Sequence, residues 1–375
     1  MTTVTDPLVI RIHGRPGQPR AYVADVLGPL ATGLRRDHRL RAVHLRRGWR
    51  GGPHYEVVVR PENGRPLDVT GWSARTTAAV AGTELDGPTE ADYRSQARRL
   101  ERWEQTGRSA PPLRAPGTVL IGSDTAGADW LPELREARTA VQGALLDPLL
   151  AALREHRDEE ALLAHLAEVM ATLAGTHPGR LPFGTMSFRS HAEAFLASPL
   201  AGQDHRPDFR RRFAQDADRL TALARRHLTD GPGPETAGWH AAFRYGWGYL
   251  DSLVRSGRLG NSYLDGFAPA APDGSTRPPT RFHALTEQYG ITTDPDDSFA
   301  SYRSLLNFFY ELLPLLDVTP LHRYYLCFAL AEATDLALGE TWEERIRRAA
   351  PAPIAATAPA TTAPAPAATT TTTTE

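Results

Sequence analysis

Leu8, Ile10 and Ile12 alternate with Val9, Arg11 and His13, the period-two pattern of a strand that buries one face. Val23, Val26, Leu27, Leu30 and Leu34 then recur at helical spacing,. Two more strands are predicted over 41–47 and 54–60, joined by the turn-rich Gly48-Trp49-Arg50-Gly51-Gly52-Pro53,. This β-α-β-β order predicts a mixed or antiparallel sheet with a helix on one side. A charged helix is predicted over 89–104, with Tyr93, Ala97, Leu100 and Trp103 on one stripe. Pro111, Pro112 and Pro116 break the chain ahead of a short extended piece at 119–121,. Helices follow over 131–156, 159–173, 190–196, 208–228, 235–255, 299–313 and 320–338, with a loop over 260–279. The expected fold class is therefore α+β. Residues 1–125 carry the sheet, and 126–348 form a mainly helical part of the same or a closely packed domain. The stretch 349–375 is a tail, and from Pro351 it is almost entirely Ala, Pro and Thr, a composition too poor in apolar surface to order itself,.

Composition removes several kinds of chemistry. The formal net charge of −2 gives no reason to expect nucleic-acid or membrane-surface binding. Every basic residue is arginine, and without lysine there is no Schiff-base nucleophile, pyridoxal phosphate anchor or Walker-type phosphate loop. Cys327 is the sole cysteine, so an internal disulfide and a multi-cysteine zinc site are both excluded. Thirteen histidines include no His-Glu-x-x-His pair, and no glycine-rich dinucleotide fingerprint follows a strand. No metal and no cofactor is expected. With neither a signal peptide nor a run long enough to span a bilayer, the expected compartment is the cytoplasm.

Three segments hold polar residues that packing does not require. On the strand at 54–60, Tyr55, Val57 and Val59 point one way, and His54, Glu56, Val58 and Arg60 the other. With His44, Arg46 and the turn residue Arg50 they form either an ionisable site or a solvated sheet face. In the stretch 186–195, Ser190 and Glu193 have capping-box spacing, which puts Arg189 just ahead of a helix and His191 in its first turn. Arginine there suits carboxylate recognition, because its planar fork donates two parallel hydrogen bonds. In the stretch 301–332 two aromatic stripes face each other, leaving Arg303, Asn307, Glu311, His322 and Arg323 over. The residues expected to act in catalysis are Arg189, His191 and His54. Those expected to bind substrate are Arg46, Arg50, Glu56, Arg303, Asn307 and Tyr310.

Taken in order, these segments resemble the glutamate-eliminating C-terminal domain of lantibiotic dehydratases, in the stand-alone form of thiopeptide and bacteriocin biosynthesis. The resemblance rests on Trp49, Gly52, Pro53 and His54 as a Trp-x-x-Gly-Pro-His element, on Pro111-Pro112-Leu113-Arg114 after a charged helix, on the run from Ser187 to Phe195, and on Thr319-Pro320-Leu321-His322-Arg323. It covers roughly 7–348. It implies a cofactor-independent lyase acting on the leader and core of a precursor peptide, beside a glutamyl-tRNA-dependent dehydratase partner. Such a lyase removes glutamate by β-elimination, with a base for the α-proton and a cation for the departing carboxylate. Where that family continues His-x-Arg-x-Arg, this chain reads His54-Tyr55-Glu56-Val57-Val58, and Glu311 falls near the position of a family histidine. Two further readings therefore stand beside elimination: a pyridine-forming synthase, which joins two dehydroalanines and expels the leader, and a non-catalytic partner that binds the leader peptide.

Overall fold

The computed structural model describes residues 7–37, 40–62, 68–104, 110–128, 130–198, 203–260, 280–291 and 297–349. The strands are β1 (Leu8–His13), β2 (Arg15–Pro16), β3 (Leu40–Gly48), β4 (His54–Pro61), β5 (Leu85–Asp86) and β6 (Val119–Ser123). The helices are α1 (Pro19–Tyr22), α2 (Gly28–Asp37), α3 (Val69–Val80), α4 (Glu90–Glu104), α5 (Pro132–Glu155), α6 (Glu159–Ala174), α7 (Arg180–Leu196), α8 (Arg206–Thr229), α9 (Ala237–Arg255), α10 (Arg281–Gln288), α11 (Asp297–Tyr310), α12 (Pro320–Leu338) and α13 (Trp342–Ala349). A π turn over Val23–Leu27 links α1 to α2. The expected loop at 261–279 and the tail from 350 lie outside the described residues.

The main sheet has the order β3-β4-β1-β6, and every neighbouring pair is antiparallel. The α+β expectation and the β-α-β-β start hold, and the extended piece after the prolines is β6, which pairs with β1. Alternation sorts the two faces as the sequence suggests. Leu8, Ile10, Ile12, Val43, Leu45, Tyr55, Val57 and Val59 enter one hydrophobic core with Tyr22, Val23, Leu27 and Leu34. Burying each such side chain contributes about 1.5–3 kcal/mol. The core continues through α5, α6, α7, α8, α9, α11 and α12, so the apolar stripes of the helices and one face of the sheet share a single interior.

Most of the opposite face is shielded from solvent. His13, His44, Arg46, His54 and Glu56 lie on it and are buried, Arg46 being 5% and Glu56 8% exposed. α5 meets β3 through Gly143, where an added Cβ would stand 3.3 Å from that of Ala42.

One element differs in a way that moves a site residue. The helix expected from Ser190 begins at Arg180, so Ser190 and Glu193 are interior residues and no capping box forms. Pro182 lies in the first turn, where a missing N–H costs nothing. Gly184 lies where a Cβ would run into the backbone of Ala174, so it sets the close approach of α6 and α7 and does not end a helix. Tyr302 donates to its carbonyl at 3.1 Å.

Candidate functional site

The turn between β3 and β4 is fixed by backbone geometry. Gly51 and Gly52 take positive φ of 83° and 101°, which side chains disfavour. The Gly51 N–H donates to the Tyr93 hydroxyl at 2.8 Å, and that hydroxyl donates to the Pro111 carbonyl at 2.7 Å. The turn delivers His54, whose Nδ1 is 2.9 Å from the Gly52 carbonyl. A carbonyl only accepts, so Nδ1 carries the proton. Nε2 then faces Glu56 Oε1 at 3.6 Å. Gly48 stands opposite His54 in the register, and any side chain there would collide with the imidazole.

Glu56 is the hub. Arg11 Nε donates to Oε1 and Arg46 Nε to Oε2, both at 2.8 Å. Burial opposes its ionisation, but His54, Arg46 and Arg11 outweigh that and hold the carboxyl well below the usual carboxylate range,. Arg46 turns its planar fork to Asp124 just past β6, at 2.6 and 3.2 Å. Burial works against the Arg46 charge, while Glu56, Asp124 and Glu311 favour it. From α5, Arg138 and Gln142 reach Glu311 at 2.7 and 2.8 Å, and Arg138 lies over the Trp130 ring at 5.1 Å. Three guanidiniums thus meet three carboxylates. His44, 1% exposed, has no hydrogen-bond partner on either ring nitrogen; burial, then Arg46 and Arg138, keep it neutral.

A second group gathers where α11 ends. His191 Nδ1 is 3.3 Å from the Tyr310 hydroxyl, which is 3.1 Å from Cys327 Sγ. Burial, with Arg323, Arg303 and His283 adding, lowers the His191 pKa to about 3. Burial also lifts the Cys327 thiol to about 11, so it is no ready nucleophile. Arg323 lies over the Tyr310 ring at 5.0 Å, and Ser190 Oγ meets His283 Nε2 at 3.0 Å. Tyr310 and Glu311 are consecutive, so the end of α11 links the uncharged His191, Tyr310 and Cys327 to the charged network.

The expected residues are therefore distributed unequally. His54, Arg46 and Glu56 come together, and Tyr310 joins His191, with Arg303 close enough for its charge to act on that imidazole. Asn307 is half-buried one turn earlier on α11. Arg50 lies 5.7 Å over the Trp49 ring in the turn. Arg189 is not ahead of a helix but inside one, donating to Glu332 and Asp335 at 2.7 Å each and lying over Trp342. No hydrogen bond, ion pair or ring contact joins Arg189, His191 and His54 to one another. Sequence reasoning did not assign Arg11, Asp124, Arg138 or Gln142 to a site. Arg11 was findable, since it stands on the polar side of the β1 alternation.

Among the described residues no group of three or more His, Cys, Asp or Glu is placed to hold a metal ion, and no described helix is long and apolar enough to cross a membrane. No protein-family model matches the sequence, and no curated protein does. Solved structures do match in fold. TbtD, a pyridine synthase from thiomuracin biosynthesis, superposes with a TM-score of 0.68 at 20% identity, over 89% of this chain and 99% of its own. TsrL superposes with a TM-score of 0.56 at 17% identity, over 92% of this chain and 99% of its own.

Proposed function

We propose that this chain matures a ribosomally made peptide in the cytoplasm by joining two dehydroalanines into a pyridine ring. The observation that carries the reading is the one-to-one pairing of charges in the network at the polar sheet face. Arg11, Arg46 and Arg138 are matched by Glu56, Asp124 and Glu311. Elimination of glutamate calls for a surplus cation to hold a departing carboxylate, and the positions where the resemblance leads one to expect arginine hold Glu56 and Val58. A formal cycloaddition develops no net charge, so a balanced, rigid polar surface that orients two neutral groups suits it. The fold shared with a pyridine synthase supports the same reading.

In that reaction a dehydroalanine and the iminol tautomer of its preceding amide add across a second dehydroalanine, forming two C–C bonds. The ring then becomes aromatic by losing water, whose oxygen was the amide's, and the leader, which departs as a carboxamide. The needs are donors to amide carbonyls and a group that moves a proton between amide nitrogen and oxygen. Arg11 holds Glu56 through Nε only, which leaves its terminal N–H groups to donate to a carbonyl. His54 carries the proton, with the ionised Glu56 beside it to balance the imidazolium, and His191 with Tyr310 supplies a neutral relay. A glutamyl-tRNA-dependent dehydratase is one class of partner that would supply the dehydroalanines.

The test is to incubate the protein with a precursor peptide carrying two dehydroalanines and follow its mass. The expected product has lost water and the leader, the leader appearing as an amide. Release of glutamate from a glutamylated precursor, or a peptide left unchanged, would overturn the reading. Arg11→Gln, at a partly exposed position, is expected to lower kcat/KM by roughly tenfold or more, the size of a lost charge-assisted hydrogen bond.

A further inference from the structure

Across α5 from the charges just described lies a concave surface, a cleft of about 280 Å³ between β3, β4, α5 and α9. Its floor is made of small residues, Ala42, Ala140 and Gly143. Tyr245 and Tyr249 form a wall, their ring centroids 6.2 Å apart, and Tyr245 is 50% exposed. An aromatic ring left that open beside a cavity offers an apolar body and a polar tip to a ligand.

The rim is basic. Arg41 is the extra residue of a bulge between Leu40 and Ala42, and a bulge turns its side chain away from the regular alternation. Arg41 and Arg60 both approach the same Glu136 oxygen, at 2.6 and 3.8 Å. Arg35 is held separately by Asp147 through two hydrogen bonds. Among the described residues at this cleft, three guanidiniums therefore face two carboxylates, so one positive charge is in excess next to two phenol rings.

The geometry points to a docking site for an acidic segment of the peptide substrate, a carboxylate side chain meeting Arg41 and Arg60 while an aliphatic or aromatic neighbour lies against Tyr245 and Tyr249. The inference rests on the reading that the substrate is a peptide. It places this anchor on the opposite side of α5 from the reacting groups, because Glu136 and Gly143 face the cleft while Arg138 and Gln142 face Glu311.

Fluorescence anisotropy with the full chain tests it, using a labelled ten-residue peptide of alternating Leu and Glu and its counterpart with Gln for every Glu. The expected result is that the Glu peptide binds about tenfold or more tightly than the Gln peptide, and that the double variant Arg41→Gln, Arg60→Gln abolishes the difference. Tyr245→Ala is expected to weaken the Glu peptide several-fold. Arg41 and Tyr245 are about half exposed and Arg60 is partly buried, and thermal melts check that the variants stay folded. Equal affinity for the two peptides, or Glu-peptide binding unchanged in the variants, overturns the proposal. The two readings fail separately: selective binding without ring formation removes the reaction and leaves the anchor, and ring formation without selective binding removes only the anchor.

Discussion

Glu56 is held by three partners, and its ionised form is stable in a buried place only while they stay. Removing one member of a buried ion pair leaves the others uncompensated, at a cost of about 3–5 kcal/mol. Glu56→Ala is therefore expected to lower unfolding stability by that amount in urea titration, whereas Glu136→Ala, at a more exposed pair, is expected to cost under about 1 kcal/mol. The histidines give a pH dependence whose sign is fixed. Burial first, with nearby cations, lowers the pKa of His13 to about 4 and of His191 to about 3, and that of His44 falls as well. Unfolded, each titrates near 6.5. As pH falls from about 6.5 towards 4, the unfolded chain binds protons that the folded chain refuses, so stability drops through that window. His13 alone accounts for a loss on the order of 3 kcal/mol. Thermal midpoints measured from about pH 7 to 4 should fall, and His13→Gln should make the fall shallower. A rising midpoint would contradict the burial described for these rings.

At the scale of the element, α7 is held by contacts its own sequence does not announce. Arg189 ties it to α12 through Glu332 and Asp335, and Asp335 also receives Arg345 from α13 at 2.6 Å. Arg189→Ala is expected to lower stability by about 3–5 kcal/mol, seen as a drop in thermal midpoint. Gly184→Ala is expected to push α6 and α7 apart at a cost of a few kcal/mol. What was legible and what was not divides along local and tertiary lines. The strands β1, β3 and β4 were legible because alternation is a local signal. α12 was legible in full because Thr319-Pro320 marks its start, Thr319 accepting from the His322 N–H at 3.2 Å. The first half of α7 was not, since Pro182 and Gly184 read as a loop until the neighbour that needs a glycine is known. α3 and α13 were overlooked although each carries a start signal: Asp68 accepts from Gly71 N–H, and Thr341 and Glu344 form a reciprocal cap.

For the whole molecule, the polar sheet face was legible as a set of residues and not as a site. Strand alternation groups His54, Glu56, His44 and Arg46, but no periodicity says that Asp124, beyond β6, and Glu311, beyond α11, close the network from far along the chain. The buried balance of charge has a bulk signature. The Arg46 pairs are shielded from solvent ions, so raising salt from about 0.1 to 1 M is expected to leave them nearly unchanged while weakening exposed pairs such as Arg157–Asp25,. A double comparison of Arg46→Met with Arg157→Met across salt checks this, the second variant alone showing a smaller salt dependence than the parent.

Gly143 gives α5 a close seat on β3, where even a methyl group would crowd Ala42, and the same helix is the partition between the tyrosine-lined cleft and the buried charges. A wall shared in this way cannot be moved for the benefit of one room. Anyone enlarging the tyrosine-lined side to admit a bulkier guest by moving the helix would displace Arg138 and Gln142 on the other side, so remodelling the cleft has to begin with side chains and leave the partition where it stands.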